Sequence, residues 1–327
     1  MTVQPLPPLQ PAVGSTALSM RAKTIIGGGL IVALYLLPFV LGESYLFLSI
    51  DFLIMALFAV SYNLLLGQAG MLSFGHAAYY GLGAYTVAIL FNKLAVPVYV
   101  GLLASPFIAG AIALAVGWFA VRVTGMYFAM LTLAFGQLLH TVVMGWYGFT
   151  GGDDGLPVMP PDWLLPARNY YLFVLTVTLV SLAALRLITL SAFGTALNAI
   201  RENRQRAIFV GLGVRNYELG AFVIAGAFAG IAGAMRAPLQ QMAFPSLLHW
   251  SQSAEPVLMA LAGGIHTFAG PIVGAAIFVF TNFVITTYSE YPLLVFGVIV
   301  LLVVLYLPGG VAGAIIAAWE RLRRRAR

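Results

Sequence analysis

The chain has 327 residues, 61% of them hydrophobic and only 8% charged, with no cysteine, a mean hydropathy of +0.98 and a net charge of +6. An ordinary globular domain carries about a quarter charged residues, so this composition excludes a soluble enzyme and describes one integral membrane domain. The lack of cysteine excludes a disulfide framework, a thiolate nucleophile and a thiolate metal site.

Residues 1–22, with Pro5, Pro7, Pro8 and Pro11, lack the charged, apolar and small-residue regions of a signal peptide and read as a disordered cytoplasmic tail. A transmembrane domain is expected over 23–318. Its apolar stretches fall at 24–41, 46–67, 76–92, 98–121, 125–147, 169–190, 217–235, 254–268, 270–288 and 291–308, against about 20 residues for one spanning helix. Gly263, Gly264, Gly270 and Pro271 crowd the eighth and ninth stretches, so one of these can be a broken or re-entrant helix. With the N-terminus inside and ten crossings, Arg21, Lys23, Arg122, Arg186, Arg201, Arg204, Arg206, Arg215, Arg321, Arg323, Arg324, Arg325 and Arg327 fall on the cytoplasmic side. Only Lys93, Arg168 and Arg236 fall outside, as the positive-inside rule requires. Residues 319–327 form a basic cytoplasmic tail that suits anionic headgroups. The expectation is an all-α polytopic membrane protein with about ten (8–10) transmembrane helices and both termini cytoplasmic, in a bacterial or archaeal cytoplasmic membrane. The positive charge then reports membrane sidedness and not nucleic-acid binding.

Gly226, Gly230 and Gly233 line one helical face, and Gly81 and Gly83 are similarly placed within a span, the small residues that close helix packing needs. A short internal echo relates Gly70-Met-Leu-Ser73-Phe74-Gly75 to Gly264-Ile-His-Thr267-Phe268-Ala269, and internal repeats are common in transporters. The only two lysines follow Ala22 and Asn92, so no Walker A loop exists. His76, His140, His249 and His266 are scattered, without metal-ligand spacing. No catalytic residues, cofactor or metal are expected, and the chain reads as a non-catalytic membrane subunit.

The segment 191–216 differs in character from its flanks. Ser191 suits an N-cap and Gly211 or Gly213 a stop, which predicts a short helix with Leu197, Ile200, Ala207 and Val210 on one apolar stripe. Such a helix can rest on lipid headgroups or insert into a groove on a cytosolic partner.

Within this segment Gln205-Arg206-Ala207-Ile-Phe-Val-Gly211 resembles the Glu-Ala-Ala-x-x-x-Gly core by which ABC importer permeases grip their ATPase, without the Glu. The string from Phe193 and Gly194 through Arg201-Glu202-Asn203 is similar to the permease of branched-chain amino acid importers, the LivM type. Agreement extends through Asn63 to Ala77, Gly125 to Gly136, Thr150 to Leu156 and Gly263 to Gly274, in family order from about 50 to 310. The resemblance implies a transmembrane permease subunit of an ATP-driven, binding-protein-dependent importer, for branched-chain or other hydrophobic amino acids, with urea or aromatic acids as alternative cargo. It implies two cytosolic ATP-binding subunits, a second related permease and an extracytoplasmic substrate-binding protein as partners, beside membrane lipid. It also makes 191–216 a coupling loop, with Arg201, Glu202, Asn203, Arg206, Ala207 and Gly211 facing the ATPase.

Polar residues inside spans are costly and so are candidates for the pathway. Asn63, Ser73, His76, Thr132 and Gln137 are the candidates for lining or gating it; interhelical hydrogen bonding is the structural alternative. Asp51, Glu255, Asp153, Asp154 and Asp162 fall toward the outside, where carboxylates can steer a basic binding protein. A gradient-driven secondary transporter, the rival class, needs a buried acid in mid-span, and Asp51 is its one claimant.

Overall fold

The structure is a computed structural model that describes residues 29, 31–288, 291–306 and 310–314. Both expected tails lie outside the described residues, as do the first residues of the 24–41 stretch. The chain divides into a unit 1–42 and a unit 43–327. In the first, residues 31–36 are helical and run into a 3-10 turn over Leu37–Phe39, whose Pro38 suits a first turn because it has no N–H to satisfy.

The second unit is built of helices. In order these are α1 (Glu43–Asn63), continued by a π-helical turn over Leu64–Ala69, α2 (His76–Leu94), α3 (Val98–Ala120), α4 (Met126–Gly145) and α5 (Ala167–Leu190). Two short helices follow, α6 (Ala192–Glu202) and α7 (Arg204–Phe209), then α8 (Val214–Gln240), α9 (Trp250–Gly263), α10 (Gly270–Tyr288) and α11 (Pro292–Tyr306). Among the described residues five helices are long and apolar enough to cross a membrane: Glu43–Ala69, α3, α4, α5 and α8. The expected span over 254–268 is corrected: its helix starts at Trp250 and stops at Gly263, where Gly264 takes φ +112°, a conformation closed to most side chains. Fourteen residues reach about 21 Å, short of the roughly 30 Å hydrocarbon core.

The bundle centres on α8, which packs along α1, α2 and α3, while α1 also meets α5, α9 and α10. Glycine makes the α8 contacts possible. A side chain at Gly233 would overlap the Tyr80 carbonyl of α2, and one at Gly83 would overlap the Gly230 carbonyl of α8. On the α3 side, a Cβ at Gly226 would stand 2.7 Å from that of Ala113. Without a hydrophobic driving force between helices in lipid, such close backbone approach supplies the dispersion energy that holds them.

The two ends of the bundle differ. At one, β1 (Leu156–Pro157) pairs antiparallel with β2 (Met242–Ala243), Asn92 Nδ2 donates to the Pro157 carbonyl at 2.6 Å, and Lys93 Nζ to the Gly148 carbonyl at 3.1 Å. At the other lie Arg201, Arg204 and Glu218, beside the end of the π-turn and the start of α4.

Substituting Gly233→Ala should lower the thermal stability of the purified protein by about 1–3 kcal/mol through overpacking. Gly148→Ala, whose Cβ would meet nothing within 4 Å, should leave it unchanged; equal melting of the two variants would refute the packing account.

Candidate functional site

Two constellations stand out. The first is at the arginine-bearing end. Chain continuity from α5 into α6 is broken at Ser191, extended at ψ 173°, but its hydroxyl donates back to the Ile188 carbonyl at 2.7 Å and caps nothing in α6. A single helix over 191–211 is not formed. Asn203 adopts φ −157° and ψ 100°, and its Oδ1 accepts the Arg206 amide at 2.9 Å, so the chain restarts as α7. Asparagine does this because its side chain imitates a backbone acceptor at a helix start.

The break redistributes the expected stripe. Leu197, Ile200 and Ala207 are buried, and Ile200 and Ala207 pack with Val214 of α8, but Val210 is 77% exposed. The chain turns at Gly211, φ +89°, with the Leu212 amide bonded to the Ala207 carbonyl at 3.1 Å. Ile208, Phe209 and Val210 are thereby pushed out as an apolar tip, Phe209 being 88% exposed.

Of the expected ATPase-facing residues, Glu202, Asn203, Arg206 and Gly211 are exposed beside this tip and Ala207 is buried beneath it. Arg201 turns inward instead. Its guanidinium bonds the Gly67 carbonyl in the π-turn, where terminal carbonyls lack helical partners, and its stem lies over Gly70, φ +71°. Arg204 forks onto buried Glu218 of α8, Nε to Oε1 at 2.9 Å and Nη2 to Oε2 at 3.1 Å. Hydrogen bonding and charge from that carboxylate raise the pKa of the Arg204 guanidinium above its ordinary value. Arg201, Arg204 and Glu218 border a cavity of about 740 Å³, lined beside them by Ile200 and by largely apolar residues of 69–74 and 123–133.

The second constellation surrounds the start of α2. Ser61 Oγ spends its single hydrogen on the Phe58 carbonyl at 2.7 Å, so its 3.0 Å contact with His76 Nε2 makes that nitrogen the donor. His76 is fully buried, stacked on Phe58 at 5.4 Å, with Nδ1 left unpartnered. Ser73 Oγ accepts the Gly75 amide at 3.4 Å. Thr132 Oγ1 of α4 accepts the Phe74 amide at 3.2 Å and donates to the Ala129 carbonyl at 2.9 Å. Ser253 of α9 accepts the Ala77 amide at 2.9 Å, satisfying a first-turn N–H of α2.

Ser73, His76 and Thr132 therefore come together. Asn63 Oδ1 and Gln137 Oε1 are each buried without a partner; Asn63 lies next to Gly67 of its own helix and Gln137 five residues along α4 from Thr132. None of the five borders the cavity. Sequence reasoning missed Ser61, Ser253 and Glu218. Ser61 and Ser253 are unremarkable in sequence, and only their partners mark them. Glu218, a carboxylate just inside a span and fourteen residues from Arg204, was the one detectable signal. Asp51 is ion-paired with Arg236 of α8, so it is not free to dock a basic protein.

The family described as branched-chain amino acid transport system, permease component, matches residues 44–307. The LivM high-affinity branched-chain amino acid transport permease of Escherichia coli is 25% identical over 301 residues, covering 84% of this chain and 71% of its own. The corresponding LivM of Salmonella typhimurium is 24% identical over the same shares. LivH, another such permease from Salmonella typhimurium, is 26% identical over 285 residues, covering 79% of this chain and 91% of its own. No solved structure gives a significant match.

Removing the Ser61 hydroxyl tests the second constellation. Ser61→Ala should cost about 1–3 kcal/mol of stability by leaving a buried imidazole N–H without an acceptor. Ser49→Ala, whose hydroxyl only returns to its own helix at Tyr45, should stay within about 0.5 kcal/mol of the parent in the same thermal scan.

Proposed function

Because the chain belongs to the permease-component family of branched-chain amino acid transport systems, we propose that it is the membrane subunit of an ATP-driven importer whose cargo is branched-chain or other hydrophobic amino acids. The observation that carries this is the family match over 44–307, in a chain without a nucleotide-binding motif of its own. ATP hydrolysis is assigned to two cytosolic partner subunits, delivery of cargo to an extracytoplasmic binding protein, and the other half of the path to a second related permease. An even number of crossings, within eight to ten, with both termini inside a bacterial cytoplasmic membrane fits the charge distribution.

The apolar tip Ile208-Phe209-Val210 is the feature that suits a groove on the ATPase. An apolar triplet held out at the arginine-bearing end, with Glu202, Asn203 and Arg206 around it, has the form of a peg with a polar rim. Arg201 and the Arg204–Glu218 fork serve a different purpose: they fasten the peg's base to the π-turn of α1 and to α8, so motion of the peg reaches both helices. ATP-driven closure of the partner pair would then reorient the bundle between outward and inward openings.

The hydrogen-bonded start of α2 is the proposed hinge of that motion. Thr132 of α4 holds the 70–75 segment at the Phe74 amide, Ser73 accepts the Gly75 amide within it and His76 ties the start of α2 to Ser61 of α1, while Asn63 of α1 and Gln137 of α4 carry unpaired polar atoms available to cargo or to an alternative arrangement. Asp51, the acid singled out for a gradient-driven carrier, is paired with Arg236.

Co-purification with the genomically adjacent ATPase is the decisive experiment. Phe209→Ala should weaken retention of that subunit about tenfold or more, the equivalent of exposing one buried aromatic side chain. Replacing Arg201 and Glu202 together should lower substrate-stimulated ATP hydrolysis with normal membrane insertion; unchanged stimulation would remove the coupling role. His76→Ala should cut uptake several-fold with the assembled complex still recovered, and uptake at the parental rate would retire the hinge.

A further inference from the structure

The outer face of α3 ends in two guanidiniums that no carboxylate neutralises among the described residues. Along this helix Leu103, Phe107, Leu114 and Trp118 are exposed at helical spacing, Phe107 by 77% and Trp118 by 52%. The opposite face, with Ala109, Ala113 and Gly117, is buried against α8. Where the exposed line ends, the chain turns at Arg122, whose Cζ stands 5.7 Å from the Trp118 ring centroid and 5.6 Å from that of Phe119. Arg215, in the first turn of α8, puts its own Cζ 5.2 Å from the same indole and donates from Nη2 to the Trp118 carbonyl at 3.3 Å. The carboxylates of Glu218 and Asp51 pair with Arg204 and Arg236, not with the two arginines on Trp118.

We propose that Arg122, Arg215 and Trp118 form a binding site for an anionic phospholipid of the cytoplasmic leaflet. The phosphodiester sits on the two guanidiniums and an acyl chain lies along Trp118, Leu114 and Phe107. Arginine stacks on an aromatic ring and still presents its planar fork to phosphate, which lysine cannot do. The indole marks headgroup depth, where tryptophan is at home between apolar chain and water. The 23 residues of α3 reach about 35 Å, so the apolar line below Trp118 is long enough to shadow an acyl chain through its leaflet. A protein covering this face would bury two uncompensated charges, whereas a lipid phosphate supplies the missing anion. The inference rests on the membrane-spanning reading with this end cytoplasmic, and on neither the cargo nor the ATPase.

The test titrates the purified full-length chain in detergent with phosphatidylglycerol, and with phosphatidylcholine of the same acyl chains, and counts bound lipid by native mass spectrometry. Phosphatidylglycerol should bind preferentially, Arg122→Gln or Arg215→Gln should each cost about fivefold in affinity, and the pair about 25-fold. Arg186→Gln, which removes a guanidinium stacked on Phe268 instead, should leave the preference intact. Equal binding by the double variant, or an equal loss from Arg186→Gln, would overturn the site in favour of general surface charge. Since the chain has no cysteine, a spin label on Phe107→Cys reads the same face independently in nanodiscs. Free collision with dissolved oxygen supports lipid there. An immobilised label shielded from oxygen would mean that a second protein covers the face, and the lipid site would be abandoned. Import assays on these variants report on the transport reading separately, because neither lipid readout requires ATP or cargo.

Discussion

Backbone has to touch backbone for this bundle to exist. In hydrocarbon, helices gain little from leaving their solvent, and cohesion comes from how closely they approach. The carbonyls of Tyr80 and Gly230 occupy the volumes that side chains at Gly233 and Gly83 would need, so α2 and α8 meet without intervening side chains in either direction. Everything else is arranged around that seam. It brings Tyr80, one turn beyond His76, against α8, and so sets where the start of α2 lies; α4 and α9 then reach that start with Thr132 and Ser253.

Much of this was legible in the sequence. The apolar stretches at 46–67, 98–121 and 270–288 agree with α1 plus its π-turn (Glu43–Ala69), α3 and α10 to within three residues at each end, because charge, glycine or proline bounds them. The helix-packing role of Gly226, Gly230 and Gly233 followed from their spacing alone. The failures have a common physical source, the competition of a side chain or a special dihedral with helical continuity. Gly264 ends α9 where hydrophobicity continues to 268, and Asn203 splits the 191–211 segment where periodicity ran on.

The candidate site divides along the same line. The exposed character of Glu202, Asn203 and Arg206 was readable, since charged residues on a cytoplasmic loop have no apolar face to join. Arg201 was not: its partner is the Gly67 carbonyl, 134 residues away in sequence and created by a π-turn that leaves no residue pattern. For the same reason Val210, expected on the apolar stripe with Leu197, Ile200 and Ala207, stands out on the surface with Phe209 beside it. Their displacement depends on one turn at Gly211 and not on their own chemistry.

The two-residue pairing of β1 with β2 carries a mechanical consequence out of proportion to its size. It clips the loop after α4 to the chain just beyond α8, while Asn92 clips that loop to the end of α2. From there α8 runs back from Gln240, past Pro238 in its last turn, about 33 Å to Glu218, which Arg204 grips. Between Gln241, beside the clipped loop at one end of the bundle, and Glu218 at the other, the chain is helix and not loop. A single helix in a glycine-lined sleeve thus joins the two ends of the bundle.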